Sequence, residues 1–287
     1  MFRIAIIGML LGCNWGERKT ATTTFTGKDS VYKKEVLFSA ASFEVPATRI
    51  SRQSEKNETF FTVLPGARDS AGQEYDSLFV PYGVQYEIRL PIDVKIFLNS
   101  GSLLVFSPVD SRSFQIKGEA IFEIGKHPST VKVGNNLFIN AEANSRLYIS
   151  NYKDFPEEPL LVAGMLNGEA ALQGDIATKM NAGKKILIDS ATQVIGVSHV
   201  DSTALLKWTQ QKFYFDEVDA YKILKQLSRW YNVSLDVPRD AIYNHTFRVM
   251  KRYDEPLDSF LESINQAMNQ HLFIVKDKNI RLANSKF

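Results

Sequence analysis

Apolar and polar residues alternate along three stretches between Pro81 and Ile124: Val84, Tyr86, Ile88 and Leu90; then Val94, Ile96 and Leu98; then Ala120, Phe122 and Ile124. A period of two places each set on one face of a β-strand, with one side buried and the other wet. Asn99-Ser100-Gly101-Ser102 and Lys117-Gly118-Glu119 lie between them. Short polar, glycine-bearing segments of this kind turn a chain from strand to strand. Upstream, Val36-Leu37-Phe38 and Phe60-Phe61-Thr62-Val63-Leu64 are apolar runs separated by the polar stretch Arg49–Glu58, which predicts strand, loop, strand. Pro65-Gly66 then reads as a turn and Ala67–Asp76 as a polar loop. Downstream, further short strands are predicted around Val131–Val133, Leu137–Ala141, Leu147–Ile149, Leu160–Val162, Ala170–Leu172, Ile186–Ile188 and Gln193–Val197. Short strands recurring about every 8–12 residues, with Gly, Asn and Pro between them, are the signature of an all-β sandwich, barrel or solenoid. No run from 35 to 197 carries the helical period.

The pattern changes near Asp201. Phe213-Tyr214-Phe215 reads as a short aromatic strand, with Asp216 behind it as a helix N-cap. Val218, Tyr221, Leu224, Leu227 and Tyr231 then recur at three and four residues, with Ala220, Ile223 and Trp230 beside them, so an amphipathic helix runs to about Tyr231. Val233–Val237 and Phe247–Met250 read as strands. Pro256 stands where a second helix starts, and Leu257, Phe260, Leu261, Ile264 and Met268 continue its stripe. Leu272–Val275 and Ile280–Leu282 close the chain as a hairpin across Lys276–Asn279. The order βαββαββ makes a small α/β domain of about eighty residues. The chain is therefore mainly β, a sandwich- or solenoid-like β-domain followed by a small α/β domain.

The first thirteen residues stand outside this pattern. Met1-Phe2-Arg3 precedes an apolar run, Ile4–Leu11, and then Gly12-Cys13. One positive charge, a short apolar run and a small residue have the layout of a secretory signal, and the run is far shorter than the roughly 20 residues that span a bilayer. Leu10-Leu11-Gly12-Cys13 also resembles the bacterial lipobox, whose cysteine is acylated and becomes the new N-terminus. Cys13 is the sole cysteine, so there is no intrachain disulfide and no cysteine zinc cage. The expectation is a lipoprotein signal over 1–13 with Cys13 as lipid anchor, and a flexible tether over 14–34, rich in Thr and Lys without periodicity. A β-domain over 35–200 and an α/β domain over 201–287 follow.

Composition narrows the function by exclusion. With 44% hydrophobic and 23% charged residues the chain is neither globally disordered nor a polytopic membrane protein. A net charge of +2 from 34 basic and 32 acidic residues, without a basic stripe, gives no case for nucleic acid. His127, His199, His245 and His271 sit in different segments without metal-ligand spacing, so no metal site is expected, and no cofactor motif is present. Glu119 and Glu123, four apart in a strand, share a face and read as a solvated charge ladder rather than a glycosidase pair. Trp230-Tyr231 reads as an aromatic pair closing a core rather than a ligand platform. Asn57-Glu58-Thr59, Asn232-Val233-Ser234 and Asn244-His245-Thr246 match the glycosylation triplet, which is common by chance. No catalytic residue is assigned, and nothing argues for an enzyme.

Pro81-Tyr82-Gly83, Leu90-Pro91, Val94-Lys95-Ile96-Phe97-Leu98-Asn99 and Ser102 resemble the opening of the FecR regulatory domain. Ile116-Lys117-Gly118-Glu119-Ala120-Ile121-Phe122-Glu123-Ile124 is similar to its most recognisable segment. Leu161-Val162-Ala163-Gly164 and Ala182-Gly183-Lys184 fit its two later glycine turns. The C-terminal part resembles the domain that follows in FecR-like proteins of Bacteroidetes: Trp208 before Phe213-x-Phe215, then Leu227-Ser228-Arg229-Trp230-Tyr231, then Pro256-Leu257. That domain is akin to the short N-terminal domain of secretins and TonB-dependent transporters. The resemblance covers about residues 79–283 in order. Ile92-Asp93 replaces the family's Asp-Gly turn, and Asn144-Ser145-Arg146-Leu147 its Gly-Thr-x-Phe; asparagine tolerates the left-handed conformation that glycine supplies.

FecR-like regulators carry a cytoplasmic sigma-binding segment and one transmembrane helix, where this sequence has a lipobox. The resemblance then implies that the sensing half carries over: a non-enzymatic, lipid-anchored module on the periplasmic side. It would contact the signalling domain of a TonB-dependent outer-membrane transporter, or another envelope regulator, by strand addition at a sheet edge. The residues that bind the partner are not identifiable from the sequence. Two alternatives stay open: a complete FecR-type anti-sigma factor with a misassigned start, and an envelope structural or adhesion lipoprotein.

Overall fold

A computed structural model describes residues 20–25, 34–41, 50–55, 58–63, 75–90, 93–106, 112–134, 136–153, 159–188, 195–242, 245–270 and 272–283. The signal-like segment with Cys13, the Pro65-Gly66 turn, Asn57, Asn244 and His271 lie outside them. The chain divides into two compact units, 1–202 and 203–287.

The first unit is built from two sheets that the chain visits alternately. β1 (Thr20–Phe25) and β2 (Lys34–Ala41) belong to the first sheet, and β3 (Ile50–Glu55) and β4 (Glu58–Val63) to the second. β5 (Tyr75–Phe79) returns to the first; β6 (Tyr86–Leu90) and β7 (Val94–Leu98) go back to the second. β8 (Leu103–Phe106) and β9 (Ser113–Lys117) are in the first, and β10 (Glu119–Ile124) in the second. β11 (Ser129–Lys132) and β12 (Leu137–Ala141) are followed across the core by β13 (Arg146–Ser150) and β14 (Leu161–Asn167). β15 (Glu169–Gly174) and β16 (Thr178–Asn181) end the first sheet, β17 (Lys184–Ile188) and β18 (Ile195–His199) the second.

Among the described residues both sheets therefore run in monotone chain order, nine strands each. Pairing is antiparallel except for β4 with β6 and β9 with β11. A chain that steps between two layers while advancing along both is at once a sandwich and a solenoid. The two inner faces meet in one core, with Leu104, Phe114, Ile139 and Leu172 from one sheet and Ile88, Ile96, Phe122 and Leu147 from the other. Phe114 and Phe122 cross that gap, their ring centroids 5.5 Å apart. Fully burying each such side chain contributes about 1.5–3 kcal/mol.

The alternating strand Val94–Leu98 and the short strand Leu137–Ala141 fall where they are predicted. Other expectations need correcting. The polar stretch Arg49–Glu58 is not simply a loop: Ile50–Glu55 pairs antiparallel with β4 along its whole length. The expected tether over 14–34 contains strand Thr20–Phe25, paired with β2. Its threonines suit a strand, but without an apolar period only the partner reveals it. The polar loop Ala67–Asp76 already enters strand β5 at Tyr75. Leu103–Phe106, Ser113–Lys117 and Thr178–Asn181 are strands too short or too polar to register by pattern.

The second unit begins inside a short helix, α1 (Ser202–Leu206), followed by a 3-10 turn at Lys207–Gln210. Then come β19 (Lys212–Asp219), α2 (Ala220–Tyr231), β20 (Ser234–Asp236), β21 (Thr246–Arg252), α3 (Leu257–Ala267), β22 (Phe273–Lys276) and β23 (Asn279–Leu282). This is the predicted βαββαββ order. β19 and β21 pair antiparallel; β23 pairs parallel with β20 and antiparallel with β22.

The N-cap of α2 is Asp219, not Asp216: its carboxylate accepts from the amides of Tyr221 and Lys222. A bulge between Phe215 and Val218, with Glu217 at φ 53°, extends β19 past the aromatic triplet and leaves Asp216 on the strand beside Arg248. The later start rotates the buried stripe to Ala220, Ile223, Leu224, Leu227 and Trp230, with Tyr221 and Tyr231 half-buried at its edges. In α3, Leu257, Phe260, Leu261 and Ile264 are buried as predicted, and Met268 caps the end. Asn265 binds α3 to β22: its Oδ1 accepts from the amides of Leu272 and Phe273, and its Nδ2 donates to the Phe273 carbonyl. No helix among the described residues is long and apolar enough to cross a membrane.

Candidate functional site

The Gly118-Glu119-Ala120 segment forms the turn from β9 into β10, and it is where the polar groups of the β-unit converge. Gly118 sits at φ 108°, and a Cβ there would lie 2.6 Å from Ser102 Oγ and 2.7 Å from Ser102 Cα. Only glycine permits this approach. Ser102 Oγ uses the closeness: it accepts from the Glu119 amide at 2.9 Å and donates to the Glu119 carbonyl at 3.0 Å. Asn151 seals the other side, accepting from the Gly118 amide and donating to the carbonyls of Ile116 and Val133.

Glu119 is the largest departure from the sequence reading. It is buried, at 5% exposure, not solvated. One carboxylate oxygen accepts from Asn99 Nδ2 at 2.6 Å and the other from the Tyr148 hydroxyl at 2.7 Å. Asn99 Oδ1 in turn accepts from Gln85 Nε2 and the Ser100 amide. Burial, and then the charge of Glu119, push the Tyr148 hydroxyl well above its ordinary pKa, so it stays a donor. Tyr152, itself buried, donates from its hydroxyl to the Ser100 carbonyl in the neighbouring turn between β7 and β8. Glu123, on the same face of β10, behaves as expected. Lys95 lies 3.2 Å from Glu87 and 3.7 Å from Glu123, and Arg146 lies 3.1 Å from Glu123, a half-exposed ladder across four strands. The two glutamates thus share a face and have opposite roles. A buried carboxylate with both oxygens engaged in hydrogen bonds holds a turn; it is not poised for proton transfer.

The other flagged residues disperse. His127, His199 and His245 are exposed and belong to separate elements. No group of His, Cys, Asp and Glu among the described residues could hold a metal ion. Trp230 is a core residue. Its ring lies 3.9 Å from Tyr253, and Tyr253 lies 4.3 Å from Phe213, which meets Phe260 edge-on at 5.4 Å. Its indole N–H donates to the Tyr253 carbonyl. The substituted turns keep their geometry: Asp93 takes φ 63° and Asn144 φ 56°, with the Asn144 amide donating to the Gly125 carbonyl. Gly183 is a turn glycine at φ 79°, whereas Gly164 lies within β14 as the register neighbour of Tyr148. Sequence reasoning missed Tyr148 and Asn151, because nothing in their local pattern shows that strands 29 and 33 residues away face them.

In the second unit, the outer face of the β19–β21 ribbon is the exposed feature. Tyr214 and Met250 are register partners, and Met250 is 61% exposed. Arg248 and Arg252 flank them on β21, pairing with Asp216 and Glu217 and with Asp254. Among the described residues β21 pairs with no strand but β19. An aromatic and thioether patch rimmed by arginine, beside a free strand edge, is a surface suited to a protein partner.

The comparisons with known proteins agree with this architecture. Residues 212–282, the whole βαββαββ unit, match the family model "FecR, C-terminal". Two crystal structures of a candidate anti-sigma factor from Parabacteroides distasonis superpose with a TM-score of 0.63 at 15% sequence identity. They cover 74% and 73% of this chain and 100% and 99% of their own, which shows a shared fold. No curated protein matches the chain. The C-terminal α/β unit thus matches the FecR C-terminal family model, and the chain as a whole is similar in fold to these two structures.

Proposed function

We propose that this protein is the sensing and relay module of a FecR-like signalling system at the cell envelope. It is held on the periplasmic side by a lipid on Cys13, and it contacts the signalling domain of a TonB-dependent transporter or another envelope regulator. The observation that carries the reading is the FecR C-terminal match over 212–282, on a unit whose strand β21 pairs, among the described residues, with β19 alone. Strand addition beside β21 would supply backbone hydrogen bonds, and the Tyr214–Met250 patch with its arginines would supply selectivity. The reading is of a binding protein and not an enzyme.

The test is crosslinking and mass spectrometry on membranes that carry the tagged protein. A TonB-dependent transporter or envelope regulator crosslinked through β21 supports the reading; recovering neither sinks it. Cys13→Ser should move the protein from the membrane to the soluble fraction, and unchanged fractionation would remove the lipid anchor from the proposal. A second reading, an anti-sigma activity, is favoured by the fold shared with the Parabacteroides distasonis protein. A reporter driven by a co-encoded extracytoplasmic-function sigma factor separates the two, since only an anti-sigma factor represses it directly.

A further inference from the structure

The two sheets of the β-unit stop at different strands. The first ends at β16, the second continues past β17 to β18. β16 packs beside β14 and β17, so β17 has a facing layer, and among the described residues the first sheet has no strand beyond β16 to face β18. The register makes the consequence visible. Ile186 and Val197 are cross-strand partners and point to the same, core-facing side; Ile186 is 1% exposed and Val197 is 61% exposed. A side chain that strand alternation assigns to the core is left in the open. Met180, on β16, is fully buried at the last closed layer.

Exposed edge strands are ordinarily blunted by charge, proline or a bulge. β18 reads Ile-Gly-Val-Ser-His, with no proline and no fixed charge, and it pairs with β17 without a register shift. Its other edge pairs with no strand among the described residues. On the outer face, Gly196 and Ser198 are small, and behind them on β17 stand their register partners Leu187, 37% exposed, and Lys185. Small residues on β18 leave these longer side chains free to reach across it toward an added strand. β16, β17 and β18 together carry Lys179, Lys184 and Lys185 and no carboxylate.

We propose that β18 is a docking strand for an extended segment of a second protein in which apolar and acidic residues alternate. The added strand would continue the second sheet, lay its apolar side chains beside Val197 on the core side, and turn its carboxylates toward Lys185. Five residues of ladder span about 17 Å, the length of an ordinary strand. This surface belongs to the β-unit and does not depend on the transporter reading, which concerns β21.

The experiment uses the full chain and a fluorescent peptide of alternating Val and Glu, followed by polarisation, with a Val-Lys peptide and a proline-interrupted Val-Glu peptide as controls. The Val-Glu peptide should bind and protect β18 amides from hydrogen exchange, and the controls should not. Lys185→Glu should weaken binding about tenfold, and added salt should weaken it as well. Val197→Asp and His199→Pro, both at exposed sites and, for His199, at an amide that the register turns to the open edge, should abolish it while the circular dichroism stays unchanged. The proposal is overturned by no binding of the Val-Glu peptide, by equal binding of the Val-Lys peptide, or by protection elsewhere than β18. It is equally overturned by concentration-dependent self-association that Val197→Asp removes, since the occupant is then a second copy.

Discussion

At the scale of single residues, the turn into β10 shows how a short motif can be structural without being inert. Gly118 and Gly183 both have positive φ, but a Cβ at Gly118 would collide with Ser102 while one at Gly183 would meet nothing within 4 Å. Gly183→Ala should therefore cost only the conformational penalty, about 1–2 kcal/mol. Gly118→Ala adds the clash and the loss of the Ser102–Glu119 bonds, and should cost about 3 kcal/mol or more. Urea midpoints of the two variants test the difference, and equal losses would refute the account. Tyr148 makes a pH prediction. Its folded pKa is raised by burial and by Glu119, so the native state holds the proton after the unfolded chain has released it. The stability from this group is complete below the unfolded tyrosine pKa of about 10 and falls as pH rises above it. A Tyr148→Phe variant should lose less stability between neutral and strongly alkaline pH than the parent; parallel losses would exclude Tyr148 as the cause.

Elements show where local pattern and tertiary context disagree. The helical stripe of α2 is legible in the sequence, but its start is not, because both Asp216 and Asp219 are good caps by type. The bulge at Glu217 decides between them by keeping the chain in strand geometry for another turn's worth of residues. Asp219→Ala should then destabilise the α/β unit by about 1 kcal/mol. Asp216→Ala, which removes only an exposed pair with Arg248, should leave the thermal midpoint unchanged. The reverse ranking would restore Asp216 as the cap. β10 teaches the complementary point. Alternation predicted one buried face, yet Glu119, Ala120, Ile121 and Phe122 are all buried. The inner residues fill the core, while on the outer face Ile121 lies between its register partners Phe97 and Tyr148.

Across the whole molecule, two units with separate cores follow one another in the chain. Cores that share no buried residues need not melt together. Calorimetry should resolve two transitions, and Leu224→Ala, at a fully buried position of α2, should lower only one of them by about 2–5 kcal/mol. A single transition that shifts as one would show that the units are coupled.

What the sequence determined alone was the local and periodic: the alternating strand β7, the short strand β12, the βαββαββ order, the apolar stripe of α3, and turn residues such as Asp93 and Asn144 that tolerate positive φ. Each is written into neighbouring residues, because a strand or helix period and a turn conformation depend only on them. The tertiary structure decided the rest. It made strands of Thr20–Phe25 and Ile50–Glu55, whose polar sequences need a partner to declare them. It buried Glu119 and left Glu123 in the ladder, although both lie on one face of one strand, because Asn99 and Tyr148 reach it from 20 and 29 residues away in the chain. And it left Val197 uncovered, since where a sheet outruns the layer facing it is a property of two layers and not of any one segment.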